Sequence, residues 1–570
     1  MRYDIHKNFI KIFLPYIQKD QLKECGSVMW IPEERCYYAP HNLKFLKNFI
    51  KSFNIKSKVL YELQDKIFKD IMYSKKVITY YRYLRENSNI EPPELIKNFP
   101  YKEYKPYRHQ QLSLYVATML PRFGLFLDAG TGKTRVMLDA ICYRVLNSSV
   151  KSILVVCPKI NIKNTWIKEV KKHSILNIPT IPIFNESSKD KKEILANRPE
   201  GPFMHIITYD CMRINLKYMS DYDMVIFDES RRLGDTRSQR SAAALKFSLK
   251  AKYSILATGT VNTLASFKDV FSQYKVLDFG QSFGLNYLAF MEDYFQDIGS
   301  KFTKWVLKKD SISSIRNVMY TKAISYRKEE CLDLPGQVFK YIEVEPSKKQ
   351  AKLSSQFTMA CFKPEVKKEY NLDNNAENAE IIDALPISKV IKLQEINSGF
   401  YKPFSDAANI FSFPTGKLSA LSDVLSETGD DKLIIWVRFK HDIDIIYKEL
   451  EKQGIGCCRL SGDFDEIEDW QNLKANRVLV GMESMGIGLN LVEAKYVVYW
   501  SYDYSLDRWN QSLDRVYRIG QKFKVTYFIF MIKESVDIGI IFALKNNDRI
   551  SRRLTDYEFR RLAKGKNFKK

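Results

Sequence analysis

The sequence lacks the marks of secreted, membrane-spanning and zinc-binding proteins. Its nine cysteines and six histidines are scattered and no C-x-x-C pair occurs, so neither a zinc site nor a disulfide framework is indicated. No stretch approaches the roughly 20 uncharged apolar residues of a spanning helix, and the charged N-terminus is unlike a signal peptide. We therefore expect an intracellular protein, located in the cytoplasm, or in the host cytoplasm if it is viral.

Acidic residues are too few to balance the basic ones. Asp and Glu number 67 against 90 Lys and Arg, which leaves a formal net charge of +23. An excess of this size indicates a polyanionic partner, either nucleic acid or an anionic membrane surface. With 570 residues, 45% of them hydrophobic, the chain has room for about three to four domains.

The spacing of apolar runs predicts an α/β fold with several parts. Two regions alternate strand-length apolar runs with longer amphipathic segments, a rhythm typical of βαβ units and a parallel sheet. The sequence predicts an accessory domain at 1–95, a first α/β lobe at 96–280, a mainly helical linker at 281–410, a second α/β lobe at 411–545 and a basic tail at 546–570.

Short apolar runs mark the expected strands of both lobes. The first lobe has runs at 124–127, 153–157, 205–208, 224–227 and 254–257. The second lobe has runs at 432–437, 456–460, 477–480, 496–500 and 525–530. In the accessory domain, 28–31 and 36–38 predict a hairpin, and the apolar spacing over 43–50 predicts a helix.

A glycine-containing turn, 128–134 (DAGTGKT), follows the first of these runs and leads into an amphipathic segment. Glycines let backbone N–H groups surround phosphate oxygens, and the start of a helix adds partial positive charge. Lys133 is placed to reach the β- and γ-phosphates of a nucleotide, and Thr134 to ligate Mg²⁺. The strict G-x-x-x-x-G-K-[ST] string is not met, because Leu127 stands where its first glycine belongs.

Two carboxylates follow the apolar run 224–227. Asp228 and Glu229 are the residue types that a Mg²⁺–nucleotide site requires at the end of a central strand. Asp228 can hold the metal through water, and Glu229 can orient and deprotonate the attacking water. Their occurrence together with Lys133 indicates a nucleoside triphosphatase.

The second lobe contains an arginine pair. Arg515 and Arg518 are three residues apart, a spacing that predicts one helical face, and their guanidinium groups suit a developing phosphoryl charge. They follow a glycine-rich turn at 486–491. One lobe with a phosphate-binding turn and another with an arginine pair suggest that ATP binds in a cleft between them.

Taken in order, these motifs resemble the superfamily 2 helicases, in particular the Swi/Snf-type DNA translocases, over about 100–545. Gln110 stands at the position of the family's adenine-sensing glutamine, 128–134 is similar to motif I, and Asp228 with Glu229 is similar to motif II. The string 511–521, which ends in Arg-Ile-Gly-Gln, is the most specific sign of the Swi/Snf-type branch.

The resemblance implies two tandem RecA-like parallel-sheet lobes that use ATP and Mg²⁺, preceded by a small α+β accessory domain. It assigns Asp228, Glu229, Arg515 and Arg518 to catalysis, the last two as arginine fingers, and Thr134 and Asp228 to the metal. Nucleotide contacts fall on Gln110, Gly130, Thr131, Gly132, Lys133, Thr134 and Gly488. DNA contacts fall on Pro158, Lys159, Thr208, Tyr209, Arg438, Ser461, Gly462 and Ser484.

The implied substrate is duplex or branched DNA, bound largely without regard to sequence, by a protein that we expect to be monomeric. Departures from the family pattern are Arg231 in place of the usual histidine, and Val261 and Asn262 in motif III. The segment 26–46 is similar to the small module of annealing helicases, which act on forks, although a generic cap on the first lobe fits it as well. Two alternatives remain open, an RNA-directed helicase on the same scaffold and a non-catalytic DNA-binding protein.

Overall fold

The protein is described by a computed structural model that covers residues 1–545, except Lys7, Glu103, 260–263, 300–304, 361–385, 404–408 and 487–488. Two compact units are present, Met1–Leu332 and Asp333–Lys570. Within the described ranges no helix is both long and apolar enough to cross a membrane.

The first unit is built on a seven-stranded parallel sheet, with the order β13-β5-β10-β9-β6-β8-β7. Most of its strands are buried on both faces, which explains their continuous apolar runs. Their bounds are β5 Arg122–Leu127, β6 Ser152–Cys157, β7 Thr180–Ile183, β8 Phe203–Thr208, β9 Met224–Asp228, β10 Tyr253–Thr258 and β13 Ala323–Tyr326.

Helices cover both faces of this sheet and enclose two apolar cores. A short antiparallel pair, β11 Phe295–Asp297 and β12 Trp305–Leu307, lies outside the sheet. The helices are α4 Glu94–Lys97, α5 Arg108–Met119, α6 Lys133–Asn147, α7 Lys159–Asn161, α8 Ile167–His173, α9 Ser188–Ala196, α10 Tyr209–Ile214, α11 Gln239–Lys250, α12 Leu264–Asp278, α13 Tyr287–Tyr294, α14 Ser311–Met319 and α15 Lys328–Cys331.

A small antiparallel sheet precedes the parallel one in the same unit, with the order β1-β2-β4-β3. The predicted hairpin and helix of this region are confirmed as the pair β3 and β4 and the helix α2. The elements are β1 Arg2–Ile5, β2 Phe9–Phe13, α1 Lys19–Glu24, β3 Met29–Ile31, β4 Cys36–Pro40, α2 Leu43–Ser52 and α3 Lys58–Glu86.

The second unit contains a six-stranded parallel sheet, with the order β14-β21-β20-β17-β19-β18, between two apolar cores. Its strands are β14 Gln337–Val344, β17 Leu433–Val437, β18 Cys457–Leu460, β19 Val478–Met482, β20 Tyr496–Tyr499 and β21 Val525–Ile532, with a minor pair β15 Phe400–Tyr401 and β16 Phe411–Ser412. Its helices are α16 Lys348–Ala360, α17 Pro386–Ser398, α18 Lys417–Thr428, α19 Lys440–Lys452, α20 Ile467–Asn472, α21 Leu506–Val516 and α22 Val536–Lys545.

Two parallel sheets with flanking helices confirm the predicted fold class. The region 281–410, expected to be mainly helical, also contains the strands β11 to β15. Of these, β13 forms the edge of the first sheet and β14 the edge of the second. β14 reads QVFKYIEV, and its exposed Phe339 lies at the outer edge of the sheet. Edge strands carry polar residues among apolar ones, so they lack the uniform apolar run of a central strand.

Candidate nucleotide-binding site and nucleic-acid interface

The turn between β5 and α6 has the backbone shape of a phosphate cradle. Gly130 and Gly132 have φ values of +82° and +91°, in the left-handed region that favours glycine. Thr131 lies between them and is fully buried, and its Oγ1 donates to the Asp128 carbonyl at 2.8 Å. The turn ends at Lys133, the first residue of α6, so backbone N–H groups and a helix N-terminus converge here.

Helix α5 packs its first turn against this cradle. Gln110 Nε2 and His109 Nε2 donate to the Thr131 carbonyl at 3.0 Å and 2.8 Å. Burial lowers the pKa of His109, whereas its hydrogen bond to the Thr131 carbonyl acts in the opposite direction. A Cβ on Gly132 would lie 2.1 Å from Gln110 Nε2, so the cradle and the α5 side chain are interlocked.

The lysine of the turn is held close to its strand. Lys133 Nζ donates to the Leu127 carbonyl at 2.8 Å, and both Lys133 and Thr134 are half-buried. The Asp128 carboxylate accepts from the Lys328 N–H at 3.2 Å, which ties the turn to α15. The turn is therefore braced by both α5 and the segment after β13.

Asp228 ends β9 at the same carboxyl edge of the sheet and is 3% exposed. Its Oδ2 accepts from Trp166 Nε1 at 3.0 Å and from Asn161 Nδ2 at 3.4 Å, and its Oδ1 accepts from the Glu229 N–H at 3.0 Å. Burial, reinforced by the charge of Glu229, raises the pKa of Asp228 to about 6, against the opposing effect of these donors and of the Lys133 ammonium. The structure thus brings Lys133 and Asp228 into one electrostatic environment.

Glu229 leaves the strand in a left-handed conformation, with φ +53° and ψ +49°, and its side chain is partly exposed. Non-glycine residues adopt this region at an energetic cost that surrounding contacts must offset. The following residues supply such contacts: Ser230 Oγ donates to Gln273 Oε1 at 2.8 Å, and Arg231 Nε donates to Asp269 Oδ2 at 3.5 Å. The conformation directs Glu229 away from the line of the strand.

These residues fit a magnesium–nucleotide complex. A Cβ would fill the cradle at Gly132, and the metal-side groups are a hydroxyl and a carboxylate, the oxygen donors that Mg²⁺ prefers. Asp228 is oriented by three donors, which is how outer groups fix a metal-binding carboxylate.

The predicted arginine pair lies at the end of α21 in the second unit, but not on one helical face. The helix stops at Val516, because Tyr517 leaves the helical region with ψ +83°. Arg515 is 9% exposed and its Nε donates to the Gln511 carbonyl at 2.9 Å, whereas Arg518 lies beyond the helix and donates to the Leu489 carbonyl at 3.0 Å. The expectation of a shared helical face is therefore wrong for Arg518.

The residues assigned to DNA occupy different environments. Lys159 and Gly462 are exposed, and Thr208, Arg438 and Ser484 are partly exposed. Pro158 and Ser461 are buried, the latter accepting from the Asp463 N–H at 3.1 Å. Gly488, Val261 and Asn262 lie outside the described residues.

Tyr209 does not present its ring to a partner. It is 2% exposed, and its hydroxyl donates to the Asp228 carbonyl at 2.8 Å. The Thr208 hydroxyl accepts from the Cys211 N–H at 3.0 Å, which caps α10. In this structure Tyr209 supports the end of β9 instead of lining a surface that DNA could reach.

Sequence reasoning left the supporting residues of the site unassigned. Trp166, Asp269 and Gln273 have no role in the sequence-based assignment. Gln273 is 1% exposed on α12, among apolar neighbours in the string VFSQYKVL. A polar residue on the buried face of an apolar helix is the one sequence signal that could have pointed to it.

Comparisons with known proteins identify the chain's relatives. The model of the SNF2-related domain matches residues 101–399, more than half of the chain, and that of the helicase conserved C-terminal domain matches 416–520. Putative protein p41 of Acyrthosiphon pisum secondary endosymbiont phage 1 is 25% identical over 430 residues, 73% of this chain and 89% of that protein. A SWI/SNF-related regulator of chromatin from Caenorhabditis elegans is 22% identical over 495 residues, 75% of this chain but only 49% of that protein.

The solved structures that resemble the chain include the Sulfolobus solfataricus SWI2/SNF2 ATPase core in complex with dsDNA. It is 19% identical, with 83% of this chain and 98% of that chain covered and a TM-score of 0.38. The chain spans about half or less of the length of the eukaryotic relatives that it matches, such as the Arabidopsis thaliana TATA-binding protein-associated factor BTAF1, of which it covers 25%.

Proposed function

Since the chain belongs to the SNF2-related family of nucleic-acid-dependent ATPases, we propose that it is a motor that hydrolyses ATP on binding duplex or branched DNA. Its work would be to remodel DNA or to displace bound proteins. The observation that carries the ATPase part is the buried, triply hydrogen-bonded Asp228 beside the Lys133 cradle, with Glu229 next to it.

In this proposal the first unit holds the nucleotide. The backbone of 130–133 and the Lys133 ammonium bind the phosphates, and Thr134 and Asp228 hold Mg²⁺, which neutralises phosphate charge when bound. Glu229 orients a water molecule and accepts its proton. Gln110 is proposed to sense the adenine, and its hydrogen bond to Thr131 links that sensing to the phosphate turn.

Arg515 and Arg518 are proposed to stabilise the charge that develops on the transferred phosphoryl group. Guanidinium groups suit this role because they are planar and always protonated. Gly488 is proposed to contact the nucleotide, as the family resemblance implies.

DNA as the substrate is supported by the family, by the net charge of +23 and by the exposed Lys159 and Gly462. Contacts to phosphates would make binding independent of sequence and sensitive to salt. We further propose that 1–95 influences substrate choice, that 546–570 adds backbone contacts, and that the protein works as a cytoplasmic monomer.

The test measures ATP hydrolysis with single-stranded, duplex, forked and four-way DNA, and with RNA, at one salt concentration. The proposal expects strongest stimulation by duplex or branched DNA, loss of activity in Lys133→Ala, and near wild-type activity in Lys168→Ala, a change at an exposed lysine of α8. Stronger stimulation by RNA would favour the RNA-directed alternative. Absence of hydrolysis in the wild type, with activity gained in Arg231→His, would favour a non-catalytic DNA-binding protein.

A further inference from the structure

Helix α3 is the longest helix of the described chain and is firmly anchored along one side. Its 29 residues span about 43 Å. Leu60 and Ile67 pack into the core of the small N-terminal sheet, whereas Tyr81 and Leu84 pack into the core of the large sheet. Arg108 Nη2 also donates to the Leu84 carbonyl at 2.6 Å. The helix is therefore fixed at both ends. The side chains exposed on its other side are not exposed because the helix packs loosely.

The opposite side of α3 exposes large apolar and aromatic side chains. At 100° per residue, positions 61, 68, 72 and 83 lie within about 60° of each other, on the face away from the cores. Soluble proteins rarely leave such a row uncovered without a function. We call it the α3 face, and its members are 48–52% exposed: Tyr61, Phe68, Met72 and Tyr83. Tyr73 and Tyr80, which are 41–46% exposed, lie beside it and closer to the buried side of the helix.

Basic residues accompany these rings. Lys75 and Lys76 are exposed between Met72 and Tyr80, and among the residues that the structure describes no carboxylate forms an ion pair with either. The whole helix carries seven basic and four acidic residues. Lysine is depleted at protein–protein interfaces, so this composition argues against a protein partner. Aromatic rings next to lysines are typical of surfaces that bind nucleic acid, where bases stack on the rings and phosphates pair with the lysines.

We propose that the α3 face binds single-stranded DNA. Unpaired bases stack on Tyr61, Phe68 and Tyr83, and the phosphates lie along Lys75 and Lys76. The bases of a duplex are already stacked in pairs, so only an unpaired strand can offer its base faces to these rings. From residue 61 to residue 83 the helix rises about 33 Å, enough for several nucleotides. The choice of DNA over RNA rests on the proposed function, and it would place the motor beside duplex–single-strand junctions.

The test compares two triple variants of the full chain. In the first, Tyr61→Ala, Phe68→Ala and Tyr83→Ala remove the rings. In the second, Tyr61→Phe, Phe68→Tyr and Tyr83→Phe keep them. Fluorescence anisotropy with a labelled oligothymidine at fixed salt should show at least tenfold weaker binding for the first and less than twofold change for the second. Melting temperature checks folding, and Lys75→Glu with Lys76→Glu, which touches no ring, should weaken the same binding.

A measurement with blunt duplex DNA distinguishes a failure of the α3 proposal from a failure of the proposed function. ATP hydrolysis stimulated by blunt duplex should stay within twofold in the alanine variant, and Lys133→Ala should keep its oligothymidine affinity. If no variant hydrolyses ATP but the ring-dependent affinity remains, only the proposed function fails. Unchanged oligothymidine binding in the alanine variant overturns the α3 proposal. So does tighter ring-dependent binding of oligouridine, or a dimer of the wild type that the alanine variant abolishes, which would make a second copy the occupant.

Discussion

Ser230 Oγ donates to Gln273 Oε1 at 2.8 Å, and neither side chain is more than 1% exposed. The bond joins the residue after the two site carboxylates to the middle of α12. One turn earlier on that helix, Asp269 pairs with Arg231, and a Cβ on Gly234 would lie 2.6 Å from the Asp269 Cγ. The two residues that follow Glu229, Ser230 and Arg231, are therefore both bonded to α12, which fixes the backbone at Glu229.

Loss of the Gln273 amide should slow hydrolysis without weakening ATP binding. Gln273→Ala leaves the Ser230 hydroxyl buried without its partner, which costs about 1–3 kcal/mol and loosens the conformation of Glu229. We expect kcat to fall about tenfold, with the KM for ATP within twofold of wild type. Steady-state kinetics check this, with Gln296→Ala at an exposed strand as the control. A rise in KM with an unchanged kcat would contradict the positioning role.

Trp166→Phe should weaken the response to Mg²⁺. The change keeps the aromatic ring in the core but removes the N–H that donates to Asp228 Oδ2. Donors to a carboxylate favour its ionised form, so the pKa of Asp228 should rise further. We expect half-saturation at a severalfold higher Mg²⁺ concentration, with most of the rate restored at saturation. Trp305→Phe, at a partly exposed position of β12, should leave the titration unchanged.

Gly132→Ala should abolish nucleotide binding for two separable reasons. The new Cβ would meet Gln110 Nε2 at 2.1 Å, and φ at this position is +91°. Adding Gln110→Ala relieves the contact, but Gln110 is itself proposed to touch the adenine, so Gln110→Ala alone is the reference. In a fluorescent-nucleotide assay we expect the double variant to bind more tightly than Gly132→Ala and more weakly than Gln110→Ala. Gly201→Ala is a matched control, because Gly201 has a φ of +79° and no atom within 4 Å of its Cβ. Recovery to the full affinity of Gln110→Ala would mean that backbone strain plays no part.

Glu483→Gln should stabilise the second unit at alkaline pH. Burial raises the pKa of Glu483 to about 7, despite hydrogen bonds from the Asp503 N–H and the Ser512 hydroxyl. Because the folded pKa exceeds the unfolded one, stability falls as pH rises from about 4.5 to about 7. Calorimetry should show a gain on the order of 2–3 kcal/mol at pH 8 and a smaller one at pH 5. The exposed Glu493→Gln should show no such difference between the two pH values.

Salt should weaken DNA-stimulated hydrolysis in a graded way. If contacts are made to phosphates, the logarithm of duplex affinity falls linearly with the logarithm of salt concentration. Lys159→Ala removes one exposed charge at the candidate DNA surface and should reduce the slope by about one. An unchanged slope would remove Lys159 from the interface, and Lys246→Ala, at an exposed position of α11, serves as the comparison.

The strands that carry the site were predictable because they are buried on both faces. The run at 224–227 matches β9 to within one residue, and the run at 124–127 falls inside β5. Parallel strands place their carboxyl ends at one edge, which is why Lys133 and Asp228 approach each other although they are far apart in sequence. The predicted hairpin of the accessory sheet was likewise found, but its partners β1 and β2 were not anticipated, since their short mixed strings carry no clear alternation.

Contacts that depend on tertiary packing could not be predicted from the sequence. Nothing in the spacing of Trp166 and Asp228 shows that an indole N–H meets a carboxylate, and the same holds for Ser230 and Gln273. The end of α21 was also missed, because Arg515 and Arg518 have the spacing of one helical face and only the backbone turn at Tyr517 separates them.

Helix α3 also bears on how the protein can be divided for experiments. Residues 1–95 look separable in the sequence, yet Val77, Ile78, Tyr81 and Leu84 fill the same core as Leu112 and Leu125 of the large sheet. Cutting the gene at codon 95 would open that core to water, and the shortened product would report on misfolding instead of on substrate choice. A deletion intended to remove only the small sheet should keep the second half of α3, and point changes on its solvent side remain the cleaner tool.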